Sequence, residues 1–186
     1  MTLRIVAGAL KGRPLVSPSG ASIRPTSERH RGALFDILVH GMGVRFEGAR
    51  VLDLFAGTGA LGIEAISRGG RFAVFVEESA EGRGLIRANC EALGLNGCTK
   101  ILRRDATRLG AAGTIEAFDL VLLDPPYGRR LGEGALAALV SGGWLGPEAV
   151  LVLEEGLDAP FTPVEGLKLL DERAMGETCL RFLAPA

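Results

Sequence analysis

Between Arg50 and Glu154, short apolar runs alternate with helical patterns, and this alternation restricts the fold more than any other feature of the chain. The pattern predicts strands at Val51–Phe55, Phe72–Val76, Thr99–Leu102, Leu120–Leu123 and Ala149–Glu154. Helices are expected from about Gly59 to Ser67, from about Ala80 to Leu93 and over Gly132–Val140, with a short helical stretch near Ala106. Strands separated by helices close as a parallel sheet covered on both faces. Two further strands, Leu167–Glu172 and Thr178–Leu183, are linked by a turn around Gly176 that is too short for a crossover, so they must pair antiparallel. The expected fold class is α/β: a Rossmann-like, seven-stranded, mostly parallel sheet ending in an antiparallel hairpin.

Ahead of this unit lies a different pattern. Leu3–Ala7 and Arg13–Val16 flank Gly8 and Gly12 as a small hairpin, and Ser17–Ile23 reads as a linker. A helix then starts with Thr26 or Ser27 as N-cap, carries Ala33, Leu34, Ile37 and Leu38 at helical spacing, and stops at Gly41 and Gly43. The expected division is an appendage over residues 1–43 and a main domain over residues 44–186. At 186 residues the chain has room for one sizeable core.

Charge is segregated between these parts. The formal net charge is −1, yet residues 1–31 hold six basic side chains (Arg4, Lys11, Arg13, Arg24, Arg29 and Arg31) against Glu28 alone. A basic segment on an acidic body suits contact with a polyanion on one face. Cys90, Cys98 and Cys179 form no Cys-x-x-Cys pair and have no histidines at ligand spacing, so no metal site or disulfide framework is expected. No apolar stretch has the length of a signal peptide or a membrane span, and a cytoplasmic protein without membrane contact is the expectation.

Two motifs end apolar strands. The first, Asp53 to Gly62, contains Gly57-x-Gly59-x-x-Gly62, which matches the dinucleotide fingerprint literally. Asp53 argues against a pyrophosphate there, because a carboxylate in the cradle repels an anion and attracts an ammonium. S-adenosylmethionine carries an ammonium and no phosphate, so Asp53 is a candidate for its methionyl end, with Gly57 and Gly59 allowing close backbone approach and Phe55 a further cofactor-binding candidate. Glu77 ends the next strand at about the spacing used to grip ribose hydroxyls, with Glu78 as competitor. Asp105 and Ala106 follow the third strand and are candidates for the adenine, although Asp105 also suits a helix N-cap.

The second motif is Asp124-Pro125-Pro126-Tyr127. It presents a carboxylate, a proline-flanked carbonyl and an aromatic face in one rigid turn. Those groups suit a planar base with an exocyclic amine: Asp124 and the Pro125 carbonyl accept amino hydrogens while the Tyr127 ring stacks. Arg129 and Arg130 follow and could hold a phosphate. His30 and His40 have no sequence partners that would suggest a general base, and Trp144 is expected to pack.

At these residues the chain resembles the bacterial RsmD-type enzymes, which methylate the N2 amine of a guanine in 16S ribosomal RNA. The resemblance rests on Arg4 to Arg13, on Arg24 to Arg31 with Ala33 to Leu38 after it, on Asp53 to Gly62 and on Asp124 to Tyr127. It departs at Gly32, where the family usually carries an acid. It implies Asp53, Gly57, Gly59, Glu77 and Asp105 around S-adenosylmethionine and Asp124 with Tyr127 at the base. The partner it implies is 16S rRNA in an assembled or nearly assembled small subunit; a monomer is expected. Guanine N2 comes from the resemblance alone. The residues themselves leave open adenine N6 or cytosine N4 as the amine and, from other classes, an NAD-dependent oxidoreductase or a non-catalytic RNA-binding module.

Overall fold

The computed structural model describes residues 2–20, 23 and 25–186. The chain opens with two short strands, β1 (Leu3–Arg4) and β2 (Pro14–Leu15), paired antiparallel. They are shorter than the expected hairpin because the N–H groups of Val6 and Ala7 leave the ladder and donate to the Glu64 carboxylate, each at 3.0 Å. Helix α1 (Glu28–Asp36) is capped by Ser27, whose side chain accepts from the His30 N–H, and it continues as a π-helical turn over Ile37–Gly41.

The main unit alternates β3 (Arg50–Leu54), α2 (Ala60–Ser67), β4 (Phe72–Val76), α3 (Ala80–Leu93), β5 (Thr99–Leu102), β6 (Phe118–Leu123), α4 (Leu131–Gly142) and β7 (Leu145–Gly156). It ends with β8 (Leu167–Met175) and β9 (Thr178–Pro185). Seven strands form one sheet in the order β5-β4-β3-β6-β7-β9-β8, parallel from β5 through β7 and antiparallel across β9 and β8. Strand β7 extends beyond the expected Ala149–Glu154 because Leu145 pairs with Phe118 across a register irregularity. The exposed edge β8 carries a second irregularity between Leu169 and Asp171 and a charged run from Asp171 to Arg173, devices that discourage edge pairing.

Successive residues of the central strands serve opposite faces, as the pleat requires. Val51, Phe75, Leu120 and Leu122 pack on one side with Leu34, Phe35 and Leu38 of the N-terminal helical segment and Ile86 of α3. Leu52, Leu54, Val74, Val121 and Leu123 pack on the other with Leu136 and Leu139 of α4 and with Trp144, which is fully buried. The apolar residues of the N-terminal segment therefore belong to the same core cluster as one face of the sheet. Asp53 is the only charged residue of β3 apart from its first, Arg50, and it is buried.

Strand order reverses between β3 and β6: the chain builds outward from β3 to β4 and β5, then crosses back to β6. Loops at the carboxyl ends of those two strands diverge there and leave a crevice.

Candidate active site

That crevice is a cleft of about 790 Å³, and both sequence motifs line it. After β3 the backbone turns sharply: Phe55, Gly57 and Gly59 adopt φ of 58°, 58° and 80°. A bulky residue in the left-handed region costs about 1–3 kcal/mol, and Phe55 holds that strain at the cleft wall. Glu77 braces the loop, taking the Gly57 N–H on Oε2 at 2.7 Å and the Ser79 N–H on Oε1 at 3.0 Å. Gly82 packs beneath it, and a Cβ there would come within 2.6 Å of Glu77 Cγ. Each carboxylate oxygen of Glu77 retains acceptor capacity for a ligand hydroxyl.

Asp53 Oδ2 accepts the Gly62 N–H at 2.9 Å, which ties β3 to the first turn of α2. Burial pushes its carboxyl well above the usual range, the Gly62 bond opposes that shift, and the charges of Asp124 and Glu77 add to it. Asp105 caps a 3-10 turn over Ala106–Arg108, with Oδ1 accepting from the N–H and hydroxyl of Thr107, which hold its carboxyl below the usual range. The same residue lines the cleft beside Ala106, so the cap places it there.

Asp53, Glu77, Asp105 and Asp124 thus share one cleft, and one loop N–H that a phosphate would need is already spent on Glu77. This electrostatic character disfavours a pyrophosphate and favours a ligand with cationic groups.

On the far wall, Asp124 follows β6, and its Oδ2 lies 3.3 Å from the Thr26 hydroxyl. Burial, then the neighbouring Glu154 charge, pushes the Asp124 carboxyl up to about 7; the Thr26 hydroxyl and His30 act in the opposite direction. Tyr127 is 40% exposed, and its hydroxyl donates to Glu154 Oε1 at 2.9 Å. Glu155 accepts the Gly128 N–H on Oε1 at 3.1 Å and so pins the turn after Tyr127.

Several of these residues were not singled out by the sequence. Glu154 and Glu155 end a strand without a motif, and Thr26 is visible there only as a possible cap. His30, lacking sequence partners, comes within 3.0 Å of Glu154 Oε1 through Nε2 and lines the cleft. The signal that could have found Glu154 and Glu155 is their position: two consecutive acids at the carboxyl end of the strand next to the Asp124 strand.

The basic candidates divide. Arg4, Lys11 and Arg29 are exposed and line one shallow depression, Arg13 is exposed with its guanidinium on the Ala92 carbonyl, and Arg129 and Arg130 are exposed near the cleft mouth. Arg24 lies outside the described residues. Arg31 is a correction: it is 0% exposed, pairs with buried Glu64 at 3.2 Å and donates to the carbonyls of Thr26 and Arg4, so it cannot reach RNA. Its geometry follows from α1, which points it inward beside Leu34 and Phe35. Among the described residues no cluster suited to a metal ion is present, the three cysteines are free thiols, and no helix is long and apolar enough to cross a membrane.

A switch-point cleft in this sheet, with a glycine loop on one wall and an acid-proline-proline-aromatic turn on the other, defines a Rossmann-like methyltransferase. More narrowly, the chain belongs to the family described as Conserved hypothetical protein 95, matched over residues 3–184, which is the RsmD family its motifs resemble. The Ribosomal RNA small subunit methyltransferase D of Haemophilus influenzae is 31% identical over 182 residues, 97% of this chain and 92% of that protein. The solved structure of Escherichia coli yhhF matches with a TM-score of 0.82 at 29% identity, covering 100% of this chain and 98% of that one. A more distant relative, the tRNA (guanine(6)-N2)-methyltransferase of Thermus thermophilus, is 35% identical over 144 residues, 64% of this chain and 42% of that protein.

Proposed function

We propose that this protein transfers a methyl group from S-adenosylmethionine to the N2 amine of a guanine in 16S ribosomal RNA, within an assembled or nearly assembled small subunit. The observation that carries this reading is the convergence in one cleft of the Asp53–Gly62 loop with Glu77 and the Asp124–Tyr127 turn. The names of its relatives, one for small-subunit rRNA and one for guanine N2 in tRNA, support the choice of nucleic acid and base.

When bound, S-adenosylmethionine supplies a methyl group on a positively charged sulfur, with the thioether as leaving group. The residues present fit that ligand. Asp53 is a buried carboxylate placed for the ammonium, and Gly57 and Phe55 line the same wall, whereas Gly59 serves the turn into α2, with Ile86 and Phe75 over its α-carbon. Glu77 takes ribose hydroxyls, and Asp105 with Ala106 flanks the adenine. On the base side, Asp124 and the Pro125 carbonyl accept the two N2 hydrogens, which draws the lone pair out of ring conjugation. The Tyr127 ring stacks on the base and Glu154 holds its hydroxyl. The substituted nitrogen must then shed a proton, and Asp124 is the acceptor in contact with it. Arg4, Lys11, Arg13 and Arg29, with Arg129 and Arg130 near the cleft, engage phosphates.

The test is methyl transfer from labelled S-adenosylmethionine to small subunits purified from cells lacking the protein, with mass spectrometry of the digested rRNA. N2-methylguanine at one position is expected. Label on adenine or cytosine, or no incorporation, overturns the reading.

A further inference from the structure

The Asp-Pro-Pro-Tyr turn accounts for an exocyclic amine but not for the choice among guanine, adenine and cytosine. A second carboxylate in the cleft can supply that choice. Leu123 pairs with Leu153 in the parallel ladder between β6 and β7, so Asp124 and Glu154 are the next residues on adjacent strands, at the same level. Glu154 is only 5% exposed and lines the cleft. Its Oε1 accepts from the Tyr127 hydroxyl, and His30 Nε2 lies 3.0 Å from it. Its Oε2 is buried and has no hydrogen-bond partner among the described residues. The adjacent Glu155 differs: its Oε1 accepts both the Gly128 and Gly156 N–H groups, a structural use.

An unpartnered acceptor in a buried site is costly unless a ligand brings the missing donor. Guanine carries a ring N1–H directly beside its N2 amine, whereas adenine N1 and cytosine N3, beside their amines, are bare lone pairs. We infer that Glu154 Oε2 accepts the N1–H of the target guanine, which makes Glu154 the residue that selects guanine over the other amine-bearing bases. The inference rests on the guanine-N2 reading above. With Asp124 on the amine and Glu154 on N1–H, the whole donor edge of guanine is met, while adenine or cytosine would turn a lone pair toward a carboxylate. Rejection is strong in such sites because the buried group is then left unpaired.

Glu154→Gln is the informative change. The amide keeps a carbonyl oxygen for Tyr127 and His30 and replaces the acceptor at Oε2 with a donor. The matching probe is 2-aminopurine, which has the C2 amine of guanine but a bare N1. Small subunits reconstituted with guanine or 2-aminopurine at the methylated position would be compared by kcat/KM. Wild type should prefer guanine by about 10²-fold or more, the scale for a site that loses its designated hydrogen bond. In Glu154→Gln that preference should fall at least ~10-fold, the low end for one hydrogen bond to a charged group. An unchanged ratio in a Glu154→Gln enzyme that still methylates guanine overturns the assignment. If the variant is inert, the wild-type ratio decides, because equal methylation of both bases by wild type overturns it independently. Failure of wild type to methylate guanine at all removes the functional reading and this inference together.

Discussion

The Thr26 hydroxyl lies 3.3 Å from Asp124 Oδ2, so a residue from the N-terminal segment touches the carboxylate at the centre of the proposed chemistry. Burial and the Glu154 charge raise the Asp124 carboxyl to about 7, and the Thr26 hydroxyl restrains that rise. Accepting an amino hydrogen requires the ionised form. Methyl transfer should therefore fall as pH drops below about 7, with kcat/KM reporting the free enzyme. Thr26→Val removes a hydrogen bond to the charged form and should move this acidic limb to higher pH. A pH-rate profile on labelled small subunits checks it, and an unshifted limb would show that Thr26 does not tune Asp124.

Asp124→Ala should lower methyl transfer by about 10²–10³, the loss typical of one transition-state acceptor. S-adenosylmethionine affinity should stay within a few-fold, since Asp124 acts on the amine. Single-turnover rates beside calorimetric binding separate the two effects. Turnover above a tenth of wild type would remove Asp124 from the reaction centre.

Asp53 predicts a pH dependence of cofactor binding with a defined sign. Its carboxyl is raised in the free protein, chiefly by burial. An ammonium favours the ionised form, so binding expels a proton and affinity should strengthen as pH rises toward neutrality. Methylthioadenosine lacks the ammonium and should show a flatter dependence. Asp53→Ala should likewise weaken S-adenosylmethionine more than that fragment. Equal losses for both ligands, measured by titration calorimetry, would move Asp53 away from the methionyl end.

The parallel sheet was legible because β3, β4 and β6 are near-continuous apolar runs bounded by turn residues, and the Gly176 turn left β8 and β9 no option but antiparallel pairing. The loop and the Asp124 turn were legible because each ends such a run. Glu154 and His30 were not, since their meeting depends on how α1 lies across the carboxyl edge of β7, bringing together residues far apart in the chain. Arg31 misled for a related reason. Charge counted along the chain does not tell which face of a helix it occupies, and its partner Glu64 sits in an apolar stretch of α2 with no signal of its own.

Removing Arg31 should be costly for stability and not for RNA binding. Glu64 is buried and is met by Arg31, by Arg68 at 3.1 Å and by the Val6 and Ala7 N–H groups. Arg31→Ala leaves that carboxylate undercompensated, with a loss of about 3–5 kcal/mol expected from breaking a buried pair. Arg31→Lys should rescue poorly, because one ammonium cannot reach both Glu64 and the Thr26 and Arg4 carbonyls. Denaturant unfolding measures both. A near-neutral alanine variant would mean that the N-terminal segment is held by its apolar packing alone.

Lys11, Arg13 and Arg29 are three exposed cations of the same segment, and they stand apart from an otherwise acidic chain. If they neutralise rRNA phosphates, their combined alanine variant should weaken small-subunit binding and flatten log K against log salt by about 0.7–0.9 for each phosphate no longer neutralised. S-adenosylmethionine affinity should be unchanged, because none of the three lines the cleft. The Arg129→Ala, Arg130→Ala pair is the comparison: Arg129 does line the cleft, so that pair should combine a reduced slope with lower turnover on an extruded base. A salt slope untouched by the first variant and reduced by the second would place the RNA surface at the cleft mouth and leave the N-terminal segment a structural support for Thr26 and His30.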